Sequence, residues 1–276
     1  MWKTVLRFLF FLLIGYLFIV GLLTLLQDQL IFHPSAELWD SPERLGLEWS
    51  EHWMETSDGM MLHGWLIGDL SDKITVVYSH GNAGNISGRV DIAGTVANQG
   101  AAVFLYDYRG YGKSEGTPSE EGIYSDGEAV VRYLMEELSI PDQKMIFFGR
   151  SLGGAVAARQ AAEFEGAGLV LDSAFISGKE IATDIYPFIP GFLIGVDFPV
   201  DEDLRRSQTE HIMILHAKSD RIVPFHHGKE LYRIAQQSTE GENVSFVELR
   251  GGHNTGFSQS RDIYEQNWAN FLQTLK

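Results

Sequence analysis

Six short apolar runs set the strongest limit on how this chain can fold. They are "ITVVYS", "AAVFLY", "KMIFFG", "AGLVLD", "IMILHA" and "VSFVEL", and glycine or aspartate followed by a helical pattern recurs after them. The intervening stretches "EGIYSDGEAVVRYLMEEL", "LGGAVAARQAAEF" and "HHGKELYRIAQQ" read as amphipathic helices, and "SRDIYEQNWANFLQTL" closes the chain. Strands apolar on both faces and separated by helices require a parallel sheet covered on two sides. Upstream, "LEWSEHWMETSDGMMLHGWLIGDL" alternates apolar and polar residues around Ser57-Asp58-Gly59, a hairpin signal. The expected fold is therefore α/β: a mostly parallel central sheet with an antiparallel N-terminal hairpin and helices on both faces. Residues 174–208 break the rhythm and supply no strand, so they read as a small cap excursion over the carboxyl edge of the sheet.

Ligands in open α/β sheets bind beyond the carboxyl ends of strands. Ser151 stands at such an end, after "MIFFG" and before a helix, inside Gly149-Arg150-Ser151-Leu152-Gly153. A turn this tight leaves no room for a Cβ two residues before or after the serine. Glycine at both places relieves the collision, while the serine takes a strained conformation that exposes its Oγ. The following helix points its positive end at any anion formed there.

A serine hydroxyl attacks only when a base removes its proton, and the base needs a carboxylate to orient it. The chain order for this pattern is Ser, acid, His. Of the downstream histidines, His253 follows the final strand in "VELRGGHN" at the correct sheet edge. His216 lies within a strand, and His226 and His227 open a helix where they read as solvated surface. Asp220, in "LHAKSDRIVP", is the candidate acid. Asp172, ending "GLVLD", is its rival. Asp201, Glu202 and Asp203 read as a solvated charge run, and Asp107 and Arg109 as a pair that orders their loop. Two backbone N–H groups are needed for the oxyanion: Leu152, after the serine, and Asn82, in the small-residue loop "HGNAGN". That loop lacks the Gly-Lys-Ser/Thr and GxGxxG patterns of phosphate cradles.

Residues 8–26, "FLFFLLIGYLFIVGLLTLL", run uncharged for 19 positions. At roughly 1.5 Å per residue, such a helix approaches the ~30 Å hydrocarbon core of a bilayer. The run exceeds a secretory h-region, and "TLLQDQLIF" offers no small-residue cleavage site. It reads as a retained single-pass anchor. The resulting division is a signal-anchor over 1–30, a neck over 31–46 and a catalytic domain over 47–276. Lys3 and Arg7 precede the span, whereas residues 27–58 hold eight acids and one base, Arg44. By the positive-inside rule the N-terminus is cytoplasmic and the catalytic domain is periplasmic, extracellular or lumenal.

The formal charge of −16 and the lack of a basic stripe exclude nucleic acid as a partner. Without cysteine there is no disulfide, thiolate nucleophile or cysteine-ligated metal. No cofactor or metal is called for by the residues.

In this order, "HGNAGN", "YDYRGYGKSEGTPSEEG", "GRSLGGAVA", "SDRIVP" and "GGHN", behind an apolar anchor, resemble the membrane-anchored serine hydrolases of the α/β-hydrolase superfamily. The likeness is to the alpha/beta-hydrolase domain-containing and bud-emergence-type homologues. It implies an α/β-hydrolase fold, with Ser151, Asp220 and His253 as nucleophile, acid and base and with Asn82 and Leu152 as oxyanion donors. It also implies a hydrolase of esters or thioesters, and the Phe-, Ile-, Leu- and Pro-rich segment 174–208 together with the anchor favours an acyl or lipid-like ester as substrate. A serine peptidase of the same fold and a non-catalytic membrane-tethered binding protein are the alternatives.

Overall fold

The structure, a computed structural model, describes residues 2–70, 73–239 and 243–275. In chain order its strands are β1 (His33–Pro34), β2 (Trp49–Glu55), β3 (Met61–Ile67), β4 (Thr75–Ser79), β5 (Ala83–Gly84), β6 (Ala102–Tyr106), β7 (Met145–Arg150), β8 (Gly168–Asp172), β9 (Ile212–Ala217) and β10 (Val244–Leu249). The helices are α1 (Trp2–Leu25), α2 (Gln27–Ile31), α3 (Val90–Ala97), α4 (Glu120–Glu136), α5 (Gly153–Glu163), α6 (Gly178–Ile185), α7 (Val200–Arg206), α8 (Phe225–Ser238), α9 (Gly256–Gln259) and α10 (Arg261–Thr274). Eight strands form one sheet in the order β10-β9-β8-β7-β4-β6-β3-β2. β2 and β3 pair antiparallel, as do β3 and β6, and every other neighbour is parallel. The mostly parallel sheet and its antiparallel hairpin are as the sequence predicts.

Alternation along each central strand explains why these runs must be strands. Val77, Phe104, Phe147 and Leu169 face one apolar cluster with α4, α5 and α8. Val76, Val103, Phe148 and Val170 face a second cluster with α3 and α10. Successive side chains point to opposite faces, so a strand covered on both sides has no polar phase. Each such side chain taken from water contributes about 1.5–3 kcal/mol.

Several local readings need correction. Asp203 is buried and paired with Arg159 at 2.8 Å, so the 201–203 run is not a solvated surface throughout. Arg109 pairs with Asp126 and Asp58 rather than with Asp107. His227 is fully buried and bonds Asp184 at 3.1 Å. In each case the partner comes from a distant element, which local composition does not reveal.

Residues 33–37 are stitched to the loop that follows β4. β1 pairs in parallel with β5, inside the "HGNAGN" loop. The Asn85 side-chain amide donates to the carbonyls of Ser35 and Glu37. α1 is almost wholly exposed, with only Val20 buried, yet it is fastened to the 174–208 segment at two points, and α2 adds a third. Tyr16 donates to the carbonyl of Phe188 at 3.1 Å, and Thr24 Oγ1 lies 3.1 Å from that of Leu193. The Gly195 N–H donates to Gln27.

Candidate active site

The serine sits where sequence reasoning places it, at the turn from β7 to α5. Its φ is +54°, a left-handed value rare for a residue with a side chain. The flanking glycines are there for space. A Cβ on Gly149 would lie 2.2 Å from the carbonyl oxygen of Gly153, and one on Gly153 would lie 2.0 Å from that of Ser79. The Ser151 N–H donates to the carbonyl of Asp172 on β8, at 2.8 Å, which fixes the turn against the sheet.

His253 reaches this point from the loop after β10. Its Nε2 lies 3.0 Å from Ser151 Oγ, and its Nδ1 lies 2.7 Å from Asp220 Oδ2. A carboxylate only accepts, so Nδ1 carries the proton and Nε2 is left with a lone pair facing the hydroxyl. Asp220 Oδ1 accepts the N–H groups of Ile222 and Val223, both at 2.9 Å. Burial resists ionisation of this carboxyl, but the hydrogen bond and charge of His253 and the two N–H groups prevail and hold its pKa below the ordinary value.

Asp172, the rival acid, is occupied elsewhere. It pairs with Arg150 Nε at 3.2 Å and accepts from Ser173 and from the Tyr264 hydroxyl. His216 is buried, and its Nε2 donates to the Val223 carbonyl. Burial holds its pKa below the ordinary value. It braces the Asp220 turn and does not approach the serine.

The loop bearing Asn82 lies against the elbow. A Cβ on Gly81 would be 3.6 Å from Ser151 Cβ. Among the described residues, neither the Asn82 nor the Leu152 N–H donates to another backbone group. The loop is held by His80, whose Nδ1 lies 2.7 Å from the Gly81 carbonyl, and by Asp107, which accepts the Ile86 N–H and approaches His80 Nε2 at 3.4 Å. Two supports escaped the sequence reading. The Asn82 side chain donates to the Ile31 carbonyl, at the end of α2. Arg150 Nη2 donates to the His253 carbonyl at 2.5 Å.

These groups open into a cavity of about 470 Å³. Phe175, Ile181, Ile185, Tyr186, Val196 and Phe198 form its apolar wall, and Leu30 and Ile31 close it from the N-terminal side. Among the described residues no Asp or Glu lines it, and its formally charged side chains are Arg89 and Arg150. A second cleft of about 100 Å³ lies between α1 and the 174–208 segment and shares Leu30, Ile31, Ala182, Tyr186 and Val196 with the first. A larger depression of about 670 Å³ beside β2 and α4 contains no histidine and no candidate residue.

A doubly covered, mostly parallel sheet with a serine at a glycine-flanked strand-to-helix turn defines an α/β-hydrolase, and the chain belongs to that family. A family model described as serine aminopeptidase, S33, matches residues 71–194. The alpha/beta hydrolase domain-containing protein WAV2 of Arabidopsis thaliana is 30% identical, over 93% of this chain and 90% of that one. An uncharacterized membrane protein of Saccharomyces cerevisiae is 32% identical, over 73% of each. Among solved structures, an esterase of Pyrococcus furiosus superposes with a TM-score of 0.73 at 21% identity, over 89% of this chain and 98% of that one.

Proposed function

We propose that this hydrolase is a membrane-anchored serine esterase or thioesterase that acts through an acyl-enzyme on acyl or lipid-like substrates. The observation that carries the reading is the relay of Ser151, His253 and Asp220, with contacts of 3.0 and 2.7 Å. In this reading His253 Nε2 takes the Ser151 proton as Oγ attacks the carbonyl carbon. The N–H groups of Asn82 and Leu152 receive the oxyanion. Collapse expels the alcohol or thiol, which leaves with the proton from His253. Water then repeats the sequence and frees the acid. Asp220 keeps the imidazole in the required tautomer and stabilises its cation.

The lipid-like part rests on the apolar cavity wall and its continuity with the cleft beside α1. α1 has 24 residues, and its most apolar 18-residue window has a mean hydropathy of 2.7. It exposes Phe8, Phe11 and Phe18, a surface suited to hydrocarbon and not to water. A bilayer around α1 would bring the cleft to the membrane. The N-terminus is then cytoplasmic and the catalytic domain lies on the opposite side, which maleimide labelling of a single cysteine introduced at Ser258 on intact cells would test.

The matched family model favours a second reading, an aminopeptidase. Such an enzyme must hold a peptide α-ammonium group, and among the described residues the cavity lining offers no carboxylate. Labelling by a fluorophosphonate probe, lost in Ser151→Ala, tests the hydrolase reading. A series of p-nitrophenyl esters, run beside aminoacyl-p-nitroanilides, tests the substrate. Preference for acetyl over every longer chain would remove the lipid-like reading, and anilide turnover would restore the peptidase.

A further inference from the structure

The two arginines of the cavity are not equivalent. Arg150 is neutralised by Asp172 and tied to the His253 carbonyl. Arg89, at the end of the turn Ile86–Arg89 that leads into α3, is tied to a carbonyl but lacks the carboxylate partner. Its Nη2 donates to the Ala83 carbonyl at 2.7 Å, its Nε is buried without a partner, and among the described residues no carboxylate forms an ion pair with it. Nearby Asp107 spends Oδ1 on the Ile86 N–H and His80, and its charge acts on Arg89 from beyond ion-pair distance. The chain has 37 acidic residues, and among the described residues none belongs to this lining.

Burial lowers the pKa of Arg89, and repulsion from Arg150 adds to the effect. A guanidinium nevertheless stays charged at any working pH. Withdrawing such a charge from water is costly unless an anion compensates it. A planar guanidinium with unused donors matches the paired oxygens of a phosphate or carboxylate. The cavity's extension beside α1 is apolar, so an anion belongs to the part of a substrate that stays in the main cavity.

We propose that Arg89 is the subsite for a phosphate carried by an amphiphilic ester substrate, a single-chain phospholipid being the simplest such molecule. This rests on the hydrolase reading, in that the ester lies at Ser151 while the phosphate pairs with Arg89. No proton or electron moves at Arg89; it binds.

The test uses the full chain in non-ionic detergent, with dodecyl phosphate, dodecanol and inorganic phosphate competing against p-nitrophenyl butyrate hydrolysis. Dodecyl phosphate is expected to inhibit at least about tenfold more strongly than dodecanol, the size of a charge-assisted hydrogen bond. Arg89→Gln should abolish that advantage and Arg89→Lys should keep part of it. An advantage that survives Arg89→Gln, or its absence from the wild type, overturns the proposal. Inorganic phosphate competing as well as dodecyl phosphate overturns it too, because the anion would then owe nothing to the lipid. Should Arg89→Gln not fold, the comparison of wild type with Arg89→Lys decides. If no ester is hydrolysed, the hydrolase reading fails alone. Calorimetric binding of dodecyl phosphate to the full chain, with Arg89→Lys as control, then decides the subsite without turnover.

Discussion

Arg150 and His253, 103 positions apart, are joined by a hydrogen bond from the guanidinium Nη2 to the histidine's own carbonyl oxygen. The same arginine pairs through Nε with Asp172 at the end of β8. The elbow, the neighbouring strand and the histidine loop are thus locked by one side chain. Arg150→Lys keeps a charge near Asp172 but lacks the second arm. Its kcat is expected to fall about tenfold with little change in KM, since the imidazole loses its orientation and not the substrate its pocket. Steady-state kinetics on a p-nitrophenyl ester check this. Arg150→Met would leave Asp172 buried without its cation, and a loss of about 3–5 kcal/mol in denaturant unfolding is expected.

Asp220→Asn tests the tautomer. The amide oxygen can still accept from Ile222 and Val223, which turns its NH₂ toward His253 Nδ1. Nδ1 must then accept, the proton moves to Nε2, and the lone pair facing Ser151 is lost. A drop of about 10⁴ in kcat is expected with the fold intact, as for serine triads so altered. Circular dichroism should match the wild type.

Gly153→Ala places a methyl 2.0 Å from the Ser79 carbonyl, which belongs to a central strand and cannot retreat. The expected cost is about 3 kcal/mol or more, read from chemical denaturation. A neutral result would mean that the elbow is not held as tightly as described.

Ala182 on α6 borders both the cavity and the cleft beside α1. Ala182→Trp should close the passage between them. The ratio of decanoate to butyrate hydrolysis is expected to fall about tenfold, on the scale of a few methylenes denied burial. An unchanged ratio would place the acyl chain elsewhere.

His227 carries a pH dependence of stability. Its Nδ1 accepts the Ile176 N–H, so its Nε2 holds the proton and faces Asp184, which His226 also approaches at 3.2 Å. Burial, then repulsion from His226, pushes its pKa down to about 4 despite Asp184. The unfolded chain therefore binds this proton first. Stability from this site is complete above about pH 6.5 and declines as pH falls toward about 4. Protonation of Nδ1 would also oppose the Ile176 N–H and loosen α6 from α8. His227→Gln should flatten the decline in melting temperature between pH 7 and pH 5.

Much of this was legible in the chain because it depends on near neighbours. Strand periodicity, the Asp-Gly turn and the spacing of Gly149, Ser151 and Gly153 follow from backbone geometry over a few residues, and each is found where the pattern puts it. Asp172 and Asp220 were a different matter. Both end strands before a turn, and only the packing of β7, β8 and α10, which hands Asp172 to Arg150 and Tyr264, leaves Asp220 to face His253.

The sequence by itself determined the sheet, the elbow and the apolar helix, because hydrophobic period and steric fit act locally. Only the tertiary structure decided which carboxylate meets the imidazole, that residues 31–37 bind the Asn82 loop, and that no described carboxylate forms an ion pair with Arg89. Those outcomes depend on which side chains converge from elements far apart in the chain, and a charge's partner in a folded protein is set by distance in space.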